Sequence, residues 1–153
     1  MVYLIGVNHI IQHLSDNSSS QKVALVKEFE LHLKQNGKEV GADLLAEEFS
    51  VDALRISRVA FSTVQMVAVQ LKIPHRFCDP TLEERKRLGI AKEDHHEREQ
   101  FWMECIRDFK FRNIIFACGN KHVGSFKSLL EQGGAKVQIL SQDWGMNFQE
   151  GLV

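Results

Sequence analysis

Two histidines share one short context, Gly6-Val7-Asn8-His9 and Gly119-Asn120-Lys121-His122, and each context follows a short apolar run. Between them two adjacent carboxylates, Glu47 and Glu48, close another such run. Two imidazoles and a carboxylate form a ligand set that suits zinc, manganese, cobalt or iron and leaves coordination positions open. In such a set a divalent ion lowers the pKa of water from about 15.7 toward about 7, which brings hydrolytic chemistry within reach of neutral pH. A carboxylate that is not a ligand then has the role of general base. Neighbouring residues of a regular strand point to opposite faces, so Glu47 and Glu48 cannot both address one site from within it. Glu48 is taken as the residue toward the site and Glu47 as the second choice. The glycine at each strand end permits a tight turn that lets the imidazole face back over the sheet edge.

Other residues near these runs admit two readings. Asp79, before Pro80, reads first as a helix cap with proline in the first turn, and second as a further ligand or the carboxylate that orients a histidine. Arg85 lies in Glu83-Glu84-Arg85-Lys86-Arg87, an exposed helical run with local ion pairs, within reach of Asp79 or a ligand anion. Asn120, Lys121 and the backbone after Gly119 could instead form an anion site at a helix N-terminus. His95-His96 diverge by roughly 100° around a helix and read as part of a solvated charged face. Arg55, Arg76 or Arg85 could pair with the two glutamates in a purely structural role. Cys78, Cys105 and Cys118 form no CxxC pair and read as reduced thiols, with catalysis by Cys78 or Cys118 at neighbouring strand ends the lesser option.

These residues need strands that end together. Apolar periodicity gives five strand candidates, Val2–Val7, 43–49, 75–78, 113–118 and 136–140, alternating with helical stripes. The first stripe, Val23, Val26, Phe29 and Leu33, is expected to stop near Asn36-Gly37. Residues 15–20 read as a loop with a serine capping that helix, and Ser50 and Thr63 as further caps. A helix over about 92–111 carries Phe101, Trp102, Cys105, Ile106 and Phe109 on its apolar face, and a last one packs Val123, Phe126, Leu129 and Leu130 before Gly133-Gly134. The alternation predicts a single α/β domain over residues 1–153, a three-layer α/β/α arrangement with a mostly parallel sheet of about five strands in an order resembling 3-2-1-4-5. In such sheets ligands bind beyond the carboxyl ends of the strands.

The order of Gly6-x-x-His9, Glu47-Glu48 and Gly119-x-x-His122 resembles the TraB/Tiki, ChaN and erythromycin-esterase superfamily, and the resemblance runs from the first strand to the helix after Gly119. It implies a divalent metal or small ligand held by His9, His122 and one of the glutamates. This chain is short and lacks the helical insertions that cover the pocket in larger members. A metal-dependent hydrolase acting on a small-molecule or peptide ester or amide is therefore one expectation. A non-catalytic module holding haem, an anion or another small ligand is the other.

With 153 residues, 19 Lys plus Arg and 20 Asp plus Glu, the formal charge of −1 offers no footprint for nucleic acid or an anionic membrane. The longest apolar runs fall far short of the roughly 18 to 20 residues of a spanning helix. The N-terminal residues lack a secretory pattern, so a cytoplasmic location is expected. The apolar tail 144–153 suggests docking on the body or on a second copy in a homo-oligomer.

Overall fold

The runs Val2–Val7 and Ile114–Gly119 form strands β1 and β4, buried nearly throughout, as strands covered on both faces of a parallel sheet must be. Strands β2 (Leu44–Glu47), β3 (His75–Phe77) and β5 (Val137–Trp144) complete an all-parallel five-stranded sheet in the order β3-β2-β4-β1-β5. The computed structural model describes residues 1–14 and 18–147, so parts of the expected loop 15–20 and of the tail 144–153 lie outside the described residues. Among the described residues six α-helices flank the sheet: α1 (Ser20–Glu39), α2 (Val51–Ile56), α3 (Thr63–Leu71), α4 (Leu82–Leu88), α5 (His95–Ile106) and α6 (Val123–Gln132). Helices α1 and α3 bury Phe29, Leu33 and Val67 against Ile5, Leu45 and Ile115 on one face. Helices α5 and α6 bury Trp102 and Phe126 against Leu4, Ala46 and Phe116 on the other. The three-layer α/β expectation holds, and no helix among the described residues is long and apolar enough to cross a membrane.

The strand order departs from 3-2-1-4-5 by an exchange of β1 and β4. Strand β5 pairs with β1 rather than β4, and its register shifts twice along the pair. Gly6 explains the choice of partner: a Cβ built there would lie 1.9 Å from the Gln142 carbonyl oxygen and 2.7 Å from Val123 Cγ2. Only a residue without a side chain admits β5 and α6 so closely.

Local expectations shift for similar reasons. Helix α1 runs through Asn36-Gly37 to Glu39, because Gly37 is a packing point where a Cβ would meet Leu71 of α3 at 2.7 Å. Ser19 and Ser50 cap α1 and α2 as expected, accepting from the Lys22 and Ala53 amides, but Ser62 rather than Thr63 caps α3. Thr63 is buried and donates to the Ile11 carbonyl. Asp79 caps nothing: Thr81 forms a capping box with Glu84 at the start of α4. Helix α5 is shorter than expected, and Phe109 lies beyond it, fully exposed. Trp144 docks on the body, its ring 5.3 Å from Phe29 and 6.0 Å from His32.

The connection leaving β1 crosses over β4 through α1 on one face. That leaving β4 crosses over β1 through α6 on the other. The carboxyl ends of β1 and β4 are therefore where successive connections part, the place where open α/β sheets bind ligands.

Candidate functional site

Each strand of this parting pair continues into a 3-10 turn that carries a histidine. After β1, Asn8 accepts the Ile10 amide and begins the turn His9–Ile11; after β4, Gly119 leads into Asn120–His122. Gly119 has φ −56°, so the glycine is not there for a special backbone conformation, as the expected tight turn would require. It provides space instead: a Cβ at Gly119 would lie 2.6 Å from His9 Nε2 and 3.4 Å from Glu48 Oε1. The glycine of the second motif thus makes room for the histidine of the first.

Glu48 is the centre of the site. Its carboxylate is almost wholly buried (4% exposed), accepts the Gly119 amide on Oε1 at 2.8 Å and Arg98 Nη2 on Oε2 at 2.6 Å. His9 Nε2 stands 3.5 Å from Oε1 and His122 Nε2 3.7 Å from Oε2. Both imidazoles are held from behind at the opposite nitrogen. Glu99 Oε1 lies 2.8 Å from His122 Nδ1 and also accepts Ser125 Oγ at 2.6 Å, while Gln12 Oε1 lies 2.6 Å from His9 Nδ1. An ionised carboxylate can only accept, so the 2.8 Å contact requires Nδ1 of His122 to donate to Glu99, and Nε2 is the ring atom that faces Glu48.

Arg98 ties this centre to a second carboxylate. Its guanidinium spans Glu48 and Asp79, with Nε donating to Asp79 Oδ1 at 3.0 Å, and it lies over the Trp102 ring. Burial works against its charge, but Asp79 and Glu48 more than offset that and raise its pKa above the usual arginine value. Asp79 also accepts Trp102 Nε1 at 3.0 Å and Arg85 Nη2 at 2.9 Å. It therefore orients an arginine and a tryptophan, not a histidine, and Arg85 meets it as the sequence suggested.

Glu47 is corrected. It is fully buried on the α1 and α3 side of the sheet, 3.3 Å from His75 Nε2, and does not line the cleft, because strand alternation turns it away from Glu48. None of the arginines expected beside the glutamates pairs with them: Arg55 meets Asp52, Arg76 meets Asp108, and Arg85 meets Asp79. His95, read as part of a solvated face, lines the cleft with its ring 4.6 Å from that of His122. Arg98 and Glu99 were hidden in the charged run before Trp102. Extending the Trp102 and Ile106 stripe back by one turn of α5 lands on both, which is the signal that could have found them.

The cysteines stand apart from this chemistry. Cys78 and Cys118 are not on neighbouring strands, since β2 lies between β3 and β4. Burial, followed by the charges of Glu48 and Glu99, pushes the Cys118 thiol well up, and a hydrogen bond to Cys105 followed by burial does the same for Cys78. Neither lines the cleft, and thiol nucleophiles are absent from it among the described residues.

His9, Glu48, His122, Asp79, Arg85, Asn120 and Lys121 do come together, around one open cleft of about 650 Å³. Among the described residues no group of three His, Cys, Asp or Glu side chains is gathered as a ready metal cage. Two imidazoles and a carboxylate are nevertheless donor types that divalent ions accept. The two imidazole-to-carboxylate spacings, 3.5 and 3.7 Å, run to the two different oxygens of Glu48. Each Glu48 oxygen keeps one lone pair beyond its present hydrogen bond. His9, with 53% of its side chain exposed, is the member with room to close the set. Comparison with family models, curated proteins and solved structures finds no match to this chain.

Proposed function

We propose that the chain is a metal-dependent hydrolase of TraB/Tiki-like type that cleaves an ester, amide or peptide bond at the carboxyl edge of the sheet. The observation that carries this reading is two Nε2 atoms set against one buried carboxylate, with both Nδ1 atoms already engaged from behind. Acceptors behind metal-ligating histidines fix the tautomer and raise ligand basicity, which is the part Glu99 and Gln12 would play. His9, His122 and Glu48 would hold zinc, manganese, cobalt or iron, and the chemistry such an ion supplies is Lewis-acid polarisation of the scissile carbonyl. Arg98 holds Glu48 in place, and Asp79 holds Arg98 in place.

The test is hydrolysis of a chromogenic ester, p-nitrophenyl acetate, by the purified protein before and after treatment with a chelator. Lewis-acid catalysis supplies several kcal/mol, so chelation should lower turnover by at least about a hundredfold and resupply of the metal should restore it. Turnover that survives complete chelation would refute the metal reading. Absence of turnover together with a co-purified haem, anion or other small ligand released unchanged would move the protein to the non-catalytic alternative.

A further inference from the structure

The cleft carries a charge balance opposite to that of the chain. The whole sequence has a formal charge of −1, yet the described residues lining the cleft include Arg85, Lys92, Arg98 and Lys121 against only two carboxylates, Glu48 and Asp79. Both carboxylates are spent on the arginines: Arg98 takes Glu48 and Asp79, and Arg85 takes the other oxygen of Asp79. Glu99, behind His122, is engaged by that ring and by Ser125. Lys92 and Lys121 remain exposed and make no ion pair among the described residues.

The two lysines come from different elements. Lys121 sits in the turn after β4, between Gly119 and His122. Lys92 precedes α5, and its carbonyl accepts Arg98 Nη1 at 3.3 Å, which ties that loop to the charged centre. Two cations lining one concave site raise the local concentration of anions. The cleft also presents Ile10, Phe49 and Met146, an apolar surface that a free inorganic anion would leave unused.

Resting on the reading of this cleft as a substrate site, we infer that its substrate is an anionic organic molecule, a carboxylate- or phosphate-bearing ester or amide with an apolar body, whose charged group is received by Lys92 and Lys121. The carboxylate and the phosphate share the chemistry that matters, an oxyanion that accepts from two ammonium groups.

The experiment is calorimetric binding of phenylphosphonate, an anionic aromatic with no hydrolysable ester, against neutral benzamide. It is run on the purified protein, on the same protein after chelation, and on Lys92→Gln/Lys121→Gln, whose substitutions lie outside the His9, Glu48 and His122 set. Phenylphosphonate should bind better than benzamide, lose affinity as salt rises, and lose about tenfold or more in the double variant, since each nearby ammonium contributes roughly fivefold in water. Its binding should persist after chelation. Unchanged affinity in the double variant, equal binding of benzamide, or no binding of either probe would overturn the inference. Binding lost on chelation but kept in the double variant would also overturn it, because the anion would then be a metal ligand. A lysine-dependent anion preference in a protein that shows no metal-dependent turnover of p-nitrophenyl acetate would overturn the hydrolase reading while leaving anion binding by Lys92 and Lys121 standing.

Discussion

Arg98→Met will destabilise the protein by about 3 to 5 kcal/mol, the cost of leaving buried charges without their partner. Arg98 has 9% of its side chain exposed and neutralises two carboxylates, Glu48 with 4% exposed and Asp79 with 12%, so its removal strands both in a low-dielectric interior. A methionine of similar length fills the space over Trp102, which separates the charge effect from a cavity effect. The triple variant Arg98→Met/Glu48→Gln/Asp79→Asn removes the stranded charges and should recover at least about 2 kcal/mol of the loss, since neutral replacements of buried ion pairs are often tolerated. Arg98→Lys should fall between, as an ammonium keeps the charge but cannot span both carboxylates with a planar fork. Urea unfolding with a common slope measures all of these. A single-variant loss below about 1 kcal/mol, or a triple variant no more stable than the single, would show that Arg98 is not what holds these carboxylates.

Gly6→Ala is expected to cost about 3 kcal/mol or more, at or beyond the upper end for overpacking. The added carbon would sit 1.9 Å from the Gln142 carbonyl oxygen and 2.7 Å from Val123 Cγ2, and the first of these is backbone that can yield only if β5 leaves β1. The damage should appear as early proteolytic cleavage in the β5 segment together with a lowered urea midpoint. Gly124→Ala is the matched control. It lies in α6 with nothing within 4 Å of the added carbon, and alanine there should be neutral or stabilising by up to about 1 kcal/mol. Equal stability of the two variants would contradict the close approach of β5 at Gly6.

The same glycine shows where sequence reading ran out. Hydrophobic runs reveal that Val2–Val7 and Ile114–Gly119 are both central strands, because each is apolar on both faces. They do not reveal which of the two receives β5, and the expected order exchanged them. That choice is made by a backbone approach at Gly6, a contact between residues 136 apart that leaves no local pattern. Helix caps behaved likewise: Ser19 and Ser50 were readable from local chemistry, whereas Asp79 looks like a cap and is instead claimed by Arg85, Arg98 and Trp102 from other elements.

For the site, the residues at strand ends were legible because the fold class already says where such ends converge. Strand alternation said only that Glu47 and Glu48 could not both face the site from within a strand, not which of them would, and the structure places Glu48 at the cleft and Glu47 on the far face. Arg98 and Glu99 were not legible because a run of charged residues before Trp102 has the composition of a solvated face. Two of its members nevertheless continue a buried stripe. Charged residues found inside are paired, as Arg98 and Glu99 are, and pairing across 50 residues of sequence has no periodicity to betray it.

The proposed divalent ion at His9, His122 and Glu48 is tested most directly by elemental analysis of tag-free protein. Wild type, before and after incubation with zinc, manganese or cobalt, should carry about one metal per chain, and His9→Ala/His122→Ala should carry none, with two of the three donors removed. Wild type that stays metal-free after incubation with all three ions, or a double variant that retains the metal, would contradict it.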